Sequence, residues 1–217
     1  MKSLKELTYE EAQILLKKYL AESSMAIDWL KEQFEQTGGG KSSELDFSKP
    51  SLVKLWHWFV PQIRMRPYSE VEMEEVLSFH RGTFDKFVRE RISAYPEAEQ
   101  QRLRQDFLNS VLKDYESGEL TNKTLQFVSA LAHYFAAVFL KELPGVFWGV
   151  CHQKTVDYNH AVLFGFQPAP LNPLRVVYNV TRQALENSSE CRLLEVFEIW
   201  AKKFNPQFIR RQRKNER

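Results

Sequence analysis

Cysteine, glycine and long apolar segments are all scarce in this chain of 217 residues. The two cysteines, Cys151 and Cys191, are too few for a disulfide framework, so we expect a reducing compartment, the cytoplasm. The eight glycines form no phosphate-cradling loop of the P-loop or Rossmann type. The most apolar stretch, residues 125–140, only reaches the lower limit of a membrane span and contains polar residues. A buried core helix, and no membrane association, is therefore expected.

Catalytic and metal-binding motifs are missing as well. The sequence contains no GxSxG, HExxH or CxxC spacing, which excludes the common signatures of serine hydrolases, zinc proteases and zinc ribbons. The first residues, MKSLKELTYEE, lack the apolar run of a signal peptide. We therefore expect no cofactor, no metal site, and a protein without catalytic activity.

Positive charge is concentrated at the end of the chain. Residues 207–217 (QFIRRQRKNER) contain five basic residues and one acidic residue, whereas the whole chain has a net charge of only +2. The rest of the chain therefore offers no broad basic surface for nucleic acid. We expect residues 207–217 to form a mobile, basic tail, and this tail is the one segment expected to contact nucleic acid if the protein is a regulator.

Apolar residues recur at helical spacing through most of the chain. Local signals mark several helix starts: Thr8 with Glu11, Ser69 with Glu72, and Asn172 with Pro173. These patterns predict about seven helices and a mainly α (α+β) fold class. The late part of the chain is the exception, because two short segments there are typical of strands.

A glycine-rich linker follows the first helical segment. Gly38, Gly39 and Gly40 separate residues 1–37 from a body that we expect to cover residues 45–206. The first segment is predicted to be a helical arm docked on that body. It is expected to form one long helix, or two helices with a break near residues 23–24.

A short helix at about 50–60 is dense in aromatic residues. Its sequence, LVKLWHWFV, places apolar side chains on more than one face. Such a helix is either buried on most sides, which we favour, or it carries an exposed aromatic patch. If a partner binds here, Trp56 and Trp58 are the expected anchors, because tryptophan is enriched among the residues that dominate binding energy.

An antiparallel β-hairpin is predicted at about 146–166. Residues 146–152 and 161–166 have the length and the β-branched and aromatic content of strands. Alternation predicts a bulky face and a smaller face. The bulky face is expected to combine Val146, Trp148 and Val150 with Val162, Phe164 and Phe166, and the smaller face Phe147, Gly149 and Cys151 with Ala161, Leu163 and Gly165.

The connection between the two strands is longer than the usual hairpin loop of about 2–5 residues. Two interpretations are open for its tip, Asp157, Tyr158 and Asn159. These residues contact a partner, or the Asp and Asn side chains hold a wide turn. An enzymatic alternative, a hydrolase or metal-dependent enzyme, requires His133, His152, Asp157 and His160 to converge in one pocket.

Residues 131–185 carry a resemblance. A helix containing HYFAAVFLKEL is followed by a strand that starts with Trp-Gly, then by VDYN, an apolar strand, and NPLRVVYNVTRQAL. This order resembles uncharacterised bacterial helical proteins, some of them of the immunity type that neutralises toxins. The resemblance covers about a quarter of the chain and implies a bacterial, cytoplasmic, non-enzymatic module that binds another protein. A homo-oligomer is compatible with the same sequence.

Overall fold

The computed structural model describes residues 4–116, 118–185 and 189–206. The chain folds as two units. The large unit contains the residues up to 63 and those from 122 onward, and the insert unit contains residues 64–121. These boundaries differ from the expected ones at 37 and 45, because the first helix packs within the large unit and the expected body is interrupted by the insert. The basic tail, residues 207–217, lies outside the described residues.

The expected mainly α fold class is confirmed. The described part of the chain contains seven α-helices and two small antiparallel sheets. The elements of the large unit are α1 (Tyr9–Gln36), α2 (Lys49–Phe59), α5 (Asn122–Glu142), β3 (Phe147–Val150), β4 (Ala161–Phe164), α6 (Pro173–Gln183) and α7 (Arg192–Ala201). The elements of the insert unit are β1 (Met65–Arg66), α3 (Glu70–Phe87), a π-helical segment (Val88–Ile92), α4 (Glu97–Tyr115) and β2 (Glu119–Leu120).

The predicted helix starts are confirmed. They could be recognised in the sequence because each depends on hydrogen bonds within a few residues. At the start of α1 the Thr8 amide donates to the Glu11 carboxylate at 2.8 Å, and the Glu11 amide donates to the Thr8 hydroxyl at 3.3 Å. The same reciprocal pair begins α3, and the Asn172 side chain caps α6. Helix α1 continues without a break through residues 23–24.

Helix α5 forms the core of the large unit, where it packs against α1 and α6. By length and composition, an 18-residue window of this helix is apolar enough to cross a membrane. That window is 67% buried inside the protein. A helix buried in a protein core has the same length and apolar composition as one that crosses a membrane. The ring of Phe139 is an example of its packing, because it stacks on Phe197 of α7 with 4.4 Å between the ring centroids.

The hairpin is present, but the expected pairing of its two strands, and with it the composition of each face, is wrong by one residue. Phe147 pairs with Phe164, and Trp148 pairs with Leu163. Directly opposed residues of an antiparallel pair share a face, so Trp148 and Val150 lie on the side of Leu163 and Ala161 and not of Phe164. This side packs on α1, where Val150 is buried with Ala12 and Leu16. Alternation defines two faces in each strand, but only the closure of the connecting loop decides which faces match.

The insert unit is closed by a second sheet that the sequence analysis missed. Each of its strands has two residues, which is too short for an alternating pattern. Arg66 of β1 donates two hydrogen bonds to Glu72 at 2.8 and 2.7 Å and contacts Glu119 of β2. The hydrogen bonds from Arg66 lower the pKa of Glu72 to about 2. Gly118 has φ +77°, and a Cβ there would lie 2.2 Å from the Arg66 carbonyl oxygen, so this turn requires glycine.

Candidate functional site

Trp56 and Trp58 are part of the core. Trp56 is fully buried, and its Nε1 donates to the Ser189 carbonyl at 3.0 Å. Trp58 is also buried, and its Nε1 donates to the Thr37 hydroxyl at 2.8 Å. The helix is therefore buried on most sides, as favoured from the sequence, and the alternative in which Trp56 and Trp58 anchor a partner is corrected, because their side chains fill the interior and their polar atoms are bonded.

The tip of the hairpin loop is built around a buried carboxylate. Asp157 is only 5% exposed. Its carboxylate accepts a hydrogen bond from Asn172 Nδ2 at 2.7 Å and forms an ion pair with Arg175. Both donors lie at the start of α6. The Asp157 carbonyl also accepts from the His160 amide at 2.9 Å. Of the two interpretations of this loop, the geometry of Asp157 matches the wide turn held by polar side chains.

Asn159 ties the loop to the beginning of the chain. Its side-chain amide donates to the carbonyl oxygens of Leu4 and Leu7, both at 2.9 Å. Its φ of +63° is a left-handed conformation that asparagine tolerates better than most residues. Tyr158, between these two buried residues, is half-buried and closes the turn through its amide, which donates to Thr155 O at 3.2 Å. The loop is therefore long because it joins α6 to the N-terminal segment.

The four residues of the enzymatic alternative are not brought together. His152 is exposed and packs against the ring of Tyr9 at 4.7 Å, whereas Asp157 is occupied by Arg175. His133 is buried in α5, and His160 lines a separate cleft. Within the described residues no group of three or more His, Cys, Asp or Glu side chains is arranged to hold a metal ion. The convergence on which this alternative depends is not found.

His133 has an unusual environment for a histidine. Its ring stacks on Tyr19 at 4.1 Å, and its Nδ1 has no hydrogen-bond partner among the described residues. Burial lowers the pKa of His133 below its usual value of 6.5, and the nearby carboxylate of Glu22 opposes this shift in part. Burial therefore favours the neutral form of this imidazole over the charged form.

A cleft of about 310 Å³ in the large unit is lined in part by Tyr19. It is bordered by the N-terminal segment, by α1, by the residues that enter β4 and by the start of α6. Its apolar walls and polar groups include Leu15, Leu16, Leu174, Glu22, Asn159 and His160. A cleft of this size with a few polar atoms is typical of a small-ligand site. Two of its residues, Asn159 and His160, were already singled out in the sequence.

The insert unit exposes an apolar helix face. Val71 is 70% exposed and Phe79 is 71% exposed, and both lie on α3 beside a shallow groove. Glu70, Glu74 and Glu75 line the same groove. Sequence reasoning missed this face, although a signal was present. The inward stripe of α3 runs through Met73, Leu77 and His80, and neither Val71 nor Phe79 fits that stripe.

No protein family, curated protein or solved structure matches this chain. Among the described residues, the cleft of the large unit and the exposed face of α3 are two features that offer a functional interpretation.

Proposed function

We propose that this protein acts by binding another protein, and that the exposed face of α3 is the binding surface. The observation that carries the proposal is the exposure of Val71 and Phe79, 70% and 71%, on one side of a helix. Single exposed apolar residues are common, but these two line one groove together with acidic residues, and exposed apolar area with a polar border is typical of an interaction site. Phenylalanine supplies a large apolar area in such a contact.

The rest of the insert unit supports the same interpretation. Its buried apolar side chains are few, whereas several further apolar side chains are exposed: Phe87, Tyr95 and Leu112. A bound partner would cover part of this apolar area and would stabilise the unit in proportion to its affinity.

The charges around the patch define the chemistry of the partner. Glu70, Glu74 and Glu75 are exposed on the same side of α3. Glu74 is bonded to Arg81 at 2.8 Å, and within the described residues Glu70 and Glu75 form no ion pair. A complementary partner presents an apolar side chain flanked by lysine or arginine, and opposite charges of this kind mainly accelerate association.

The resemblance of residues 131–185 to bacterial immunity-type proteins gives this proposal a more specific form. In that form the partner is a basic toxin, and binding neutralises it. The resemblance lies in the large unit and the proposed surface lies in the insert unit, so the two lines of support are independent.

The test is affinity capture with three forms of the full chain. Wild type is compared with a double variant, Val71→Ser with Phe79→Ser, and with Met25→Ser as a matched control. Met25 is 66% exposed on α1, so the control removes a similarly exposed apolar side chain from another surface. We expect wild type and control to retain one basic protein in stoichiometric amount, and the double variant to lose it. Retention by all three forms, or by none, refutes the proposal.

A further inference from the structure

The cleft of the large unit has a defined hydrogen-bonding character. His160 Nδ1 lies 3.2 Å from the carbonyl oxygen of Tyr158. A carbonyl oxygen accepts only, so in the neutral ring Nδ1 carries the hydrogen and Nε2 is left as an acceptor. Both amide hydrogens of Asn159 are used, one on Leu4 O and one on Leu7 O, so its remaining polar atom is also an acceptor.

The carboxylate of Glu22 adds a third acceptor to the lining. Its ion-pair partner at 4.0 Å is Lys18, which lines the same cleft; the Glu22 side chain is 52% exposed and the Lys18 side chain is 74% exposed. Such a surface pair contributes little free energy, so a bound ligand can replace the lysine without a large loss. Once Lys18 is displaced, the remaining polar side chains of the lining, Glu22, Asn159 and His160, favour a ligand whose head group donates hydrogen bonds and is positively charged.

The walls define the other half of the ligand. Leu15 and Leu174 are both partly exposed where they border the cleft, and Leu16 is buried beneath them. Tyr19, which also lines the cleft, is held by its stacking on His133. An apolar chain placed along these leucines would remove their exposed area from water, with about 25 cal/mol gained per Å² covered.

We infer that this cleft binds a small alkyl amine, with the ammonium group at Glu22 and His160 and the alkyl chain along Leu15, Leu16 and Leu174. The site lies in the large unit and does not involve α3. It is therefore independent of the proposed protein-binding surface.

The experiment compares three probes that share one alkyl chain: hexylamine, hexanol and hexanoate. Binding to the full chain is measured by calorimetry and by amide chemical-shift changes. We expect hexylamine to bind most tightly, hexanol more weakly and hexanoate least. The shift changes should be concentrated at residues 15–22, 159–161 and 174. Equal or tighter binding of hexanoate, shifts centred elsewhere, or no saturable binding of hexylamine overturns the inference.

Variants separate the head group from the chain. Glu22→Gln is expected to weaken hexylamine by about tenfold or more and to leave hexanol unchanged, because only the amine forms a charged hydrogen bond. Asp28→Asn is the matched control, since it removes one exposed carboxylate from the same helix outside the cleft. Leu174→Asn should weaken both ligands. If Glu22→Gln and Asp28→Asn bind hexylamine equally well, the assignment of the ammonium site is wrong.

Discussion

Replacing Arg175 by methionine tests whether the hairpin loop depends on its buried ion pair. Asp157 is 5% exposed, and Arg175→Met leaves its carboxylate with Asn172 as the remaining side-chain donor. Breaking a fully buried ion pair costs about 3–5 kcal/mol. The Arg175 side chain is 42% exposed, so water reaches the vacated oxygen, and we expect a loss of about 2 kcal/mol in the free energy of unfolding.

A double-mutant cycle isolates the interaction from other effects of the substitution. Asp157→Asn removes the charge that needs a partner, so adding it to Arg175→Met should cost less than the two single losses together. The expected coupling free energy is about 1–2 kcal/mol. Lys18→Met is the control, because it breaks the exposed pair with Glu22 and should change stability by no more than about 0.5 kcal/mol.

Urea titration followed by tryptophan fluorescence is the appropriate assay. All five tryptophans lie outside the insert unit, so their emission reports on the large unit, where the ion pair is located. A chain with two units need not unfold in a single transition. Tryptophan fluorescence follows the unfolding of the large unit separately from that of the insert unit. An unchanged urea midpoint for Arg175→Met, or strictly additive losses in the cycle, would refute the structural role assigned to Asp157.

Two further predictions concern the core of the large unit. Phe127 is 1% exposed and packs against three other rings, those of Trp29, Trp58 and Phe59, so Phe127→Ala should lower the free energy of unfolding by about 3–5 kcal/mol in the same assay; a loss below about 1 kcal/mol would contradict this packing. Because burial lowers the pKa of His133 in the folded state, the unfolded chain binds more protons as the pH falls below about 6.5, and stability decreases on acidification. His133→Phe should flatten this dependence in urea titrations at a series of pH values, and an identical pH dependence in both proteins would show that His133 does not contribute.

The elements that could be predicted are those whose causes are local. The reciprocal bonds of Thr8 and Glu11 lie within about one turn of helix, so four residues of sequence are enough to recognise them. The apolar character of α5 likewise predicted its burial, because a helix that is apolar on nearly all sides must be covered. The hairpin was also predicted, because the strand patterns are local, but the register in which its two strands pair was not.

The candidate site was predicted less well. Asp157 and Asn159 were recognised as unusual, but their partners are distant in sequence: Asn172 and Arg175 for the first, Leu4 and Leu7 for the second. No spacing rule connects residue 159 with residue 4, and so the loop's role as a tie between segments was not visible. The exposure of Phe79 was also missed: its position off the inward stripe of α3 was a signal, but a sequence does not say which neighbours cover the rest of a helix.

By itself, the sequence determined the helices, their starting residues, the mainly α class and the place of the hairpin. These features follow from hydrogen bonds and periodicities within about one or two turns of chain. Only the tertiary structure decided which distant residues meet Trp56 and Trp58, that Asp157 meets Arg175, and that Phe79 is left exposed. Each of these outcomes depends on which distant segments pack together, and that choice is made by the whole set of contacts and by no single stretch of residues.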